Sequence, residues 1–175
     1  MRVIWLVFIG LALAIAGLLP RHPPGPRPLA LARAVAATAP LGRADSVVAF
    51  AMRQLGTPYL FAGSSPATGF DCSGFVQYVY GRFGVAVPHS TALLIGAGRP
   101  VPRADARPGD LVVFAGTAPG STTAGHAGIV VSAVGEVPVR FVHASSARRV
   151  SGVRISAIEG SGYETRFLQV RRVLD

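Results

Sequence analysis

The chain has 175 residues, enough for one folded domain and an N-terminal appendage. Its net charge of +9 comes from 17 basic residues, all Arg, against 8 acidic ones. No basic run or aromatic-interleaved basic stripe is present, which speaks against a nucleic-acid module and leaves solubility or contact with an acidic polymer. The single cysteine excludes an internal disulfide, and Gly 21 with Pro 14 favours turns and short strands over long helices.

Val3 to Leu19 is an unbroken run of apolar residues and glycine, preceded by Arg2 and stopped by Pro20. Its length is at the short end of what spans a bilayer, about 17–25 residues. Residues 1–19 are therefore expected to be a signal peptide, cleaved near Ala14-Ile15-Ala16, or a retained membrane anchor. Leu18 and Leu19 continue the run and favour the anchor; Arg21, Arg27 and Arg33 after it oppose an outward orientation. Residues 20–43, with Pro20, Pro23, Pro24, Pro26, Pro28 and Pro40, form a stiff spacer. The folded domain is expected over 44–175.

Within it, Asp45 is placed to cap a helix in which Val47, Val48, Ala51 and Leu55 recur at helical spacing, closed by Gly56 and Pro58. Residues 57–70 are expected as loop. A second helix starts at Cys72, with Phe75, Val76, Val79, Tyr80 and Phe83 on one face and Gly84 past its end. A helical turn follows at Thr91 to Ile95. Strands are expected at Asp110 to Ala115, His126 to Val134, Val139 to Ala144 and Glu164 to Val173. Helices first and strands afterwards predict an α+β domain with a mainly antiparallel sheet.

Cys72 at a helix start has amide hydrogens and the positive end of the helix dipole beside it, an arrangement that favours a thiolate and can hold an oxyanion. A small buried apolar cysteine is the plainer alternative. A nucleophilic thiol needs an imidazole to accept its proton and return it to the leaving group. His22 lies in the spacer, and His89, after Pro88, suits an ordinary loop residue. His126 and His143 sit on consecutive strands. A short turn at Gly135-Glu136, with Val134 opposite Val137, puts Gly128 across from His143 and His126 diagonal to it on the same face. Gly128 is expected to leave open space beside them. Zinc binding by the Cys/His/His set is disfavoured, because no second cysteine, His-x-x-x-His pair or neighbouring acid accompanies it. No cofactor or metal is expected.

Five segments then resemble one family. Asp71-Cys72-Ser73-Gly74-Phe75-Val76 closely resembles the nucleophile motif of the NlpC/P60 cysteine peptidases. Gly56-Thr57-Pro58-Tyr59 with Gly63 resembles their G-x-P-Y-x-W-G-G loop, and Pro108-Gly109-Asp110-Leu111-Val112-Val113-Phe114 their P-G-D-L-V-F-F strand. Gly125-His126-Ala127-Gly128-Ile129-Val130 resembles their G-H-V-G-I-Y strand, and Val142-His143-Ala144-Ser145 the strand of their third polar residue. The resemblance covers about Ala44 to Ser146. It implies a papain-like fold and hydrolysis of peptidoglycan stem peptides, usually between D-γ-glutamate and a diamino acid. It makes Cys72 the nucleophile, His126 the base and His143 the group orienting it. It places Tyr59, Asp71 and Ser73 at the substrate; their plainer roles are a packed loop tyrosine, a helix cap and a helix-start serine. Phe61 and Ala62 replace the usual Trp and Gly, and His89 replaces a common Arg. The implied protein is an exported monomer acting on stem peptides, anchored or secreted, without nucleic acid. The alternatives are a non-catalytic wall-binding protein or an acyl-transferring relative on the same fold.

Overall fold

The computed structural model describes residues 42–174. The apolar segment 1–19 and nearly all of the spacer lie outside the described residues. Among the described residues no helix is long and apolar enough to cross a membrane.

Helix α1 spans Arg43–Met52, with Gly42 as its N-cap. Asp45 is not the cap as expected. The Ser46 amide already bonds the Gly42 carbonyl at 2.9 Å, so the helix begins earlier and Asp45 falls in its first turn, where the dipole still favours a carboxylate. The expected loop 57–70 contains a two-stranded ribbon, β1 (Ser64–Ser65) with β2 (Gly69–Phe70), and a bridge from Tyr59 to Phe70. Helix α2 spans Cys72–Gly81 and α3 Thr91–Leu94. Then come β3 (Arg99–Val101), a 3₁₀ turn (Arg103–Asp105), β4 (Leu111–Ala115), β5 (Ala124–Val130), β6 (Arg140–Ser145), β7 (Gly152–Ala157) and β8 (Phe167–Arg172).

Six strands form one antiparallel sheet in the order β3-β8-β4-β5-β6-β7, so the domain is α+β. The helices cover one face. There Val47, Ala51, Phe75, Val76, Val79 and Leu94 meet Leu111, Val113, Ala127, Ile129 and Val142. The other face buries Val112, Phe114, Val130, Phe141 and Val170 beneath Tyr163 and Phe167. Strand β4 is buried on both sides, which is why it is continuously apolar. Asp110, 1 % exposed, leads into it. Its carboxylate accepts from Arg172 at 2.9 and 2.8 Å and from the Arg107 amide at 3.0 Å, holding the start of β4 to the last strand.

The β5–β6 register pairs Ile129 with Val142 and Val130 with Phe141, which sets Gly128 beside His143 as the sequence predicts. The connection differs from the expected two-residue turn. Both strands stop early, and a longer loop runs between Val130 and Arg140. Pro138 has no amide hydrogen for a ladder. The Ser132 hydroxyl instead accepts from the Arg140 amide at 3.0 Å, and Glu136 accepts from the Ala133 amide at 3.0 Å. Gly128 is not beside open space either. A β-carbon there would lie 2.7 Å from the Phe141 ring, 2.8 Å from the Val142 carbonyl and 3.0 Å from the His143 β-carbon.

Candidate active site

Asp71 caps α2: its backbone is extended and its carboxylate accepts from the Gly74 amide at 2.7 Å. The same oxygen accepts from the Ser73 hydroxyl at 3.0 Å, and both carboxylate oxygens lie 3.0 Å from His89 Nε2. Asp71, Ser73 and His89 are thus one cluster at the helix start. Gly74 is required there, since a β-carbon would meet the Gly63 carbonyl at 2.1 Å. His89, expected as an ordinary loop residue, supports the cap beside Cys72.

Cys72 is only partly exposed. The backbone amides of Ala127, Ser73 and Cys72 itself lie where they favour a thiolate. Burial, and then the Asp71 carboxylate, act more strongly the other way and push the thiol up. The helix-start amides are therefore opposed by burial and by Asp71, and the balance lies towards the thiol. Tyr59 flanks the same spot: burial, the Cys72 sulfur and Asp71 all push its hydroxyl up.

The Ala127 amide marks where Cys72 comes near the sheet. The β5–β6 ladder covers only Ile129–Val142 and Val130–Phe141, and towards the start of β5 the Ala127 amide reaches Cys72 instead. Ala127 directly follows His126. His126 Nε2 lies 2.8 Å from His143 Nδ1, and the rings meet edge to face with centroids 4.8 Å apart. His143 Nε2 lies 2.9 Å from the Ser156 hydroxyl. One proton arrangement satisfies this chain and leaves a base: Nε2–H of His126 donates to Nδ1 of His143, whose Nε2–H donates to Ser156. Nδ1 of His126 is then the nitrogen with a free lone pair.

Both rings are kept neutral. Burial and then Arg166 lower the His126 imidazolium from 6.5 to about 4. His143, fully buried, is lowered by burial first, then by His126, Arg154 and Arg166. Tyr163 stacks on His126 at 5.7 Å and meets His143 edge to face at 5.3 Å. Sequence reasoning missed Ser156 and Tyr163. The alternation Val153-Arg154-Ile155-Ser156 is a strand signal that would have placed Ser156 beside His143; nothing local marks Tyr163.

The two imidazoles and Ser156 form one chain, and Cys72 lies among Tyr59, Asp71 and Ser73 at the start of α2, within reach of the amide that follows His126. Residues 56–172 match the sequence description of the NlpC/P60 family. A probable endopeptidase of Mycobacterium tuberculosis is 37% identical over 120 residues, covering 65% of this chain and 29% of that protein. The gamma-DL-glutamyl hydrolase of Bacillus subtilis is 36% identical over 127 residues, covering 72% of this chain and 28% of that one. A crystal structure of an NlpC/P60 family protein from Bacillus cereus superposes with a TM-score of 0.67 at 27% identity, over 78% of this chain and 42% of its own. The chain thus spans under a third of the length of these two curated relatives. The match covers most of the chain and the fold superposes on a member's, and the chain belongs to the NlpC/P60 family.

Proposed function

We propose that this chain is an exported cysteine endopeptidase that hydrolyses peptidoglycan stem peptides at the bond between D-γ-glutamate and a diamino acid. The observation that carries the reading is the 2.8 Å contact between His126 Nε2 and His143 Nδ1, on a strand whose next amide reaches the Cys72 sulfur. The names of the relatives, an endopeptidase and a glutamyl hydrolase, support the substrate class.

Cys72 Sγ attacks the scissile carbonyl as Nδ1 of His126 takes its proton. The helix-start amides receive the oxyanion. The carbon–nitrogen bond then breaks, the proton on Nδ1 passes to the departing amine, and a thioester remains for water to hydrolyse with His126 again as base. His143 is a positioning residue: it accepts from Nε2 and holds the ring so that Nδ1 faces the sulfur. Tyr59, Asp71 and Ser73 hold the acyl side of the substrate. The apolar run at residues 3–19 supports export to the envelope, with the spacer 20–43 separating the domain from a membrane when the run is retained.

The test is mass spectrometry of defined stem peptides after incubation with the protein and with Cys72→Ala. Cleavage on the carboxyl side of D-γ-glutamate by the parent alone is expected. Equal cleavage by the variant would remove Cys72 from the mechanism.

A further inference from the structure

Strand β7 pairs Arg154 with His143 and Ser156 with Phe141, so Arg154 and Ser156 share the sheet face of His143. The turn before β8 brings Tyr163 and Arg166 to the same side. Two cavities lie there, of about 530 and about 200 Å³. They share Ser145, Ala147, Tyr163 and Arg166, and so form one trough; His126 lines the smaller end and Arg154 the larger.

The charge of this trough has one sign. Neither cavity is lined by Asp or Glu. Arg166 is held by the Ala115 carbonyl at 3.1 Å and the Gly162 carbonyl at 3.2 Å, and lies 4.8 Å over the Tyr163 ring. Neither Arg154 nor Arg166 takes part in the ion pairs of the described residues. The Arg154 side chain makes no hydrogen bond among them either. Two permanently charged guanidiniums without a carboxylate, in a concave site, are organised for an anion with planar oxygens. The groove also has a direction. The group that protonates the departing amine must lie within hydrogen-bond reach of it, so space bordering His126 receives the leaving-group side of the substrate.

We propose that Arg154 and Arg166 bind a carboxylate carried by the leaving-group side of the substrate, that of the released diamino acid or of the residue following it. This rests on the endopeptidase reading above. It makes the trough a specificity element: the enzyme favours a free carboxylate over a carboxamide at that position, because the amide gives up the charge-assisted pair.

The experiment compares two stem peptides that differ only in carboxylate or carboxamide on the diamino acid, with Arg154→Gln as the variant. Arg166 is a poorer choice because its guanidinium also holds two backbone carbonyls. The parent is expected to favour the carboxylate in kcat/KM by about tenfold or more. Arg154→Gln should bring that ratio close to one, mainly through KM. Arg99→Gln, on β3 at the opposite edge of the sheet, removes the same charge and should keep the preference. A preference that survives Arg154→Gln, or falls equally in Arg99→Gln, overturns the proposal.

Calorimetric binding of both peptides to Cys72→Ala protein reads the trough without turnover. Tighter binding of the carboxylate there, with no cleavage by the parent, would sink the endopeptidase reading and leave the trough standing. Equal binding of the two would sink the trough.

Discussion

His143→Ala tests the relay most directly. The side chain is fully buried, meets His126 Nε2 at 2.8 Å and Ser156 at 2.9 Å. Its removal leaves a buried N–H without a partner, which costs about 1–3 kcal/mol. It also frees the His126 ring to rotate, or to carry its proton on Nδ1, where it no longer acts as the base. Together these are worth about 3–4 kcal/mol in the transition state, a fall in kcat of roughly 10²- to 10³-fold. KM should move little, because His143 does not touch substrate. His143→Gln keeps an acceptor oxygen and should recover part of the loss. Steady-state kinetics on a stem peptide measures this, with thermal unfolding monitored alongside because the deletion also opens a cavity. A variant that keeps kcat within about threefold, or loses only in KM, would refute the relay.

Breaking the buried Asp110–Arg172 pair with Asp110→Ala should destabilise the domain by about 3–5 kcal/mol in urea unfolding, because it strands a guanidinium that is 11% exposed; a change under about 1 kcal/mol would mean that water already screens the pair. His126 and His143 are held neutral in the fold, so the unfolded chain binds more protons once the pH drops below about 6.5. Their contribution to stability is full above that value and declines as the pH falls towards about 4; a melting temperature that stays flat across this window would contradict their burial as neutral rings. The raised Cys72 thiol predicts that alkylation by iodoacetamide climbs steadily between about pH 7 and 9. A plateau at neutral pH would reveal a thiolate–imidazolium pair instead.

The parts of the fold that show in the sequence are those where one local rule acts alone. Asp71 caps α2 as expected because a carboxylate three residues before Gly74 has a defined target. The β5–β6 register follows from alternation, since a one-residue slip would turn Ile129 and Val142 out of the core. Asp45 misleads because Gly42 caps as well, and only packing chooses between them. Strand β3 contains Pro100, which hides an edge strand behind a breaker. In the site, Cys72, His126 and His143 stand in motifs, whereas Tyr163 reaches the histidines from a turn with no signature of its own. The protonation state of the thiol was least legible. A helix start is visible in the sequence; the burial and the Asp71 charge that outweigh it depend on which surfaces pack over the sulfur.

That balance bears on how the site would work. A preformed ion pair would hold its nucleophile ready, and its reactivity would depend mainly on charge. Here burial pushes the Cys72 thiol up and the His126 imidazolium down, so in the proposed reaction the proton moves as the carbon–sulfur bond forms. Such a transfer depends on the direction of the Nδ1 lone pair, which is set at the far side of the ring by His143 and, behind it, by Ser156. The burial of the His143 ring strengthens those two hydrogen bonds. In the proposed reaction, a ring aligned from behind by His143 needs no permanent charge in front of it to hold its direction.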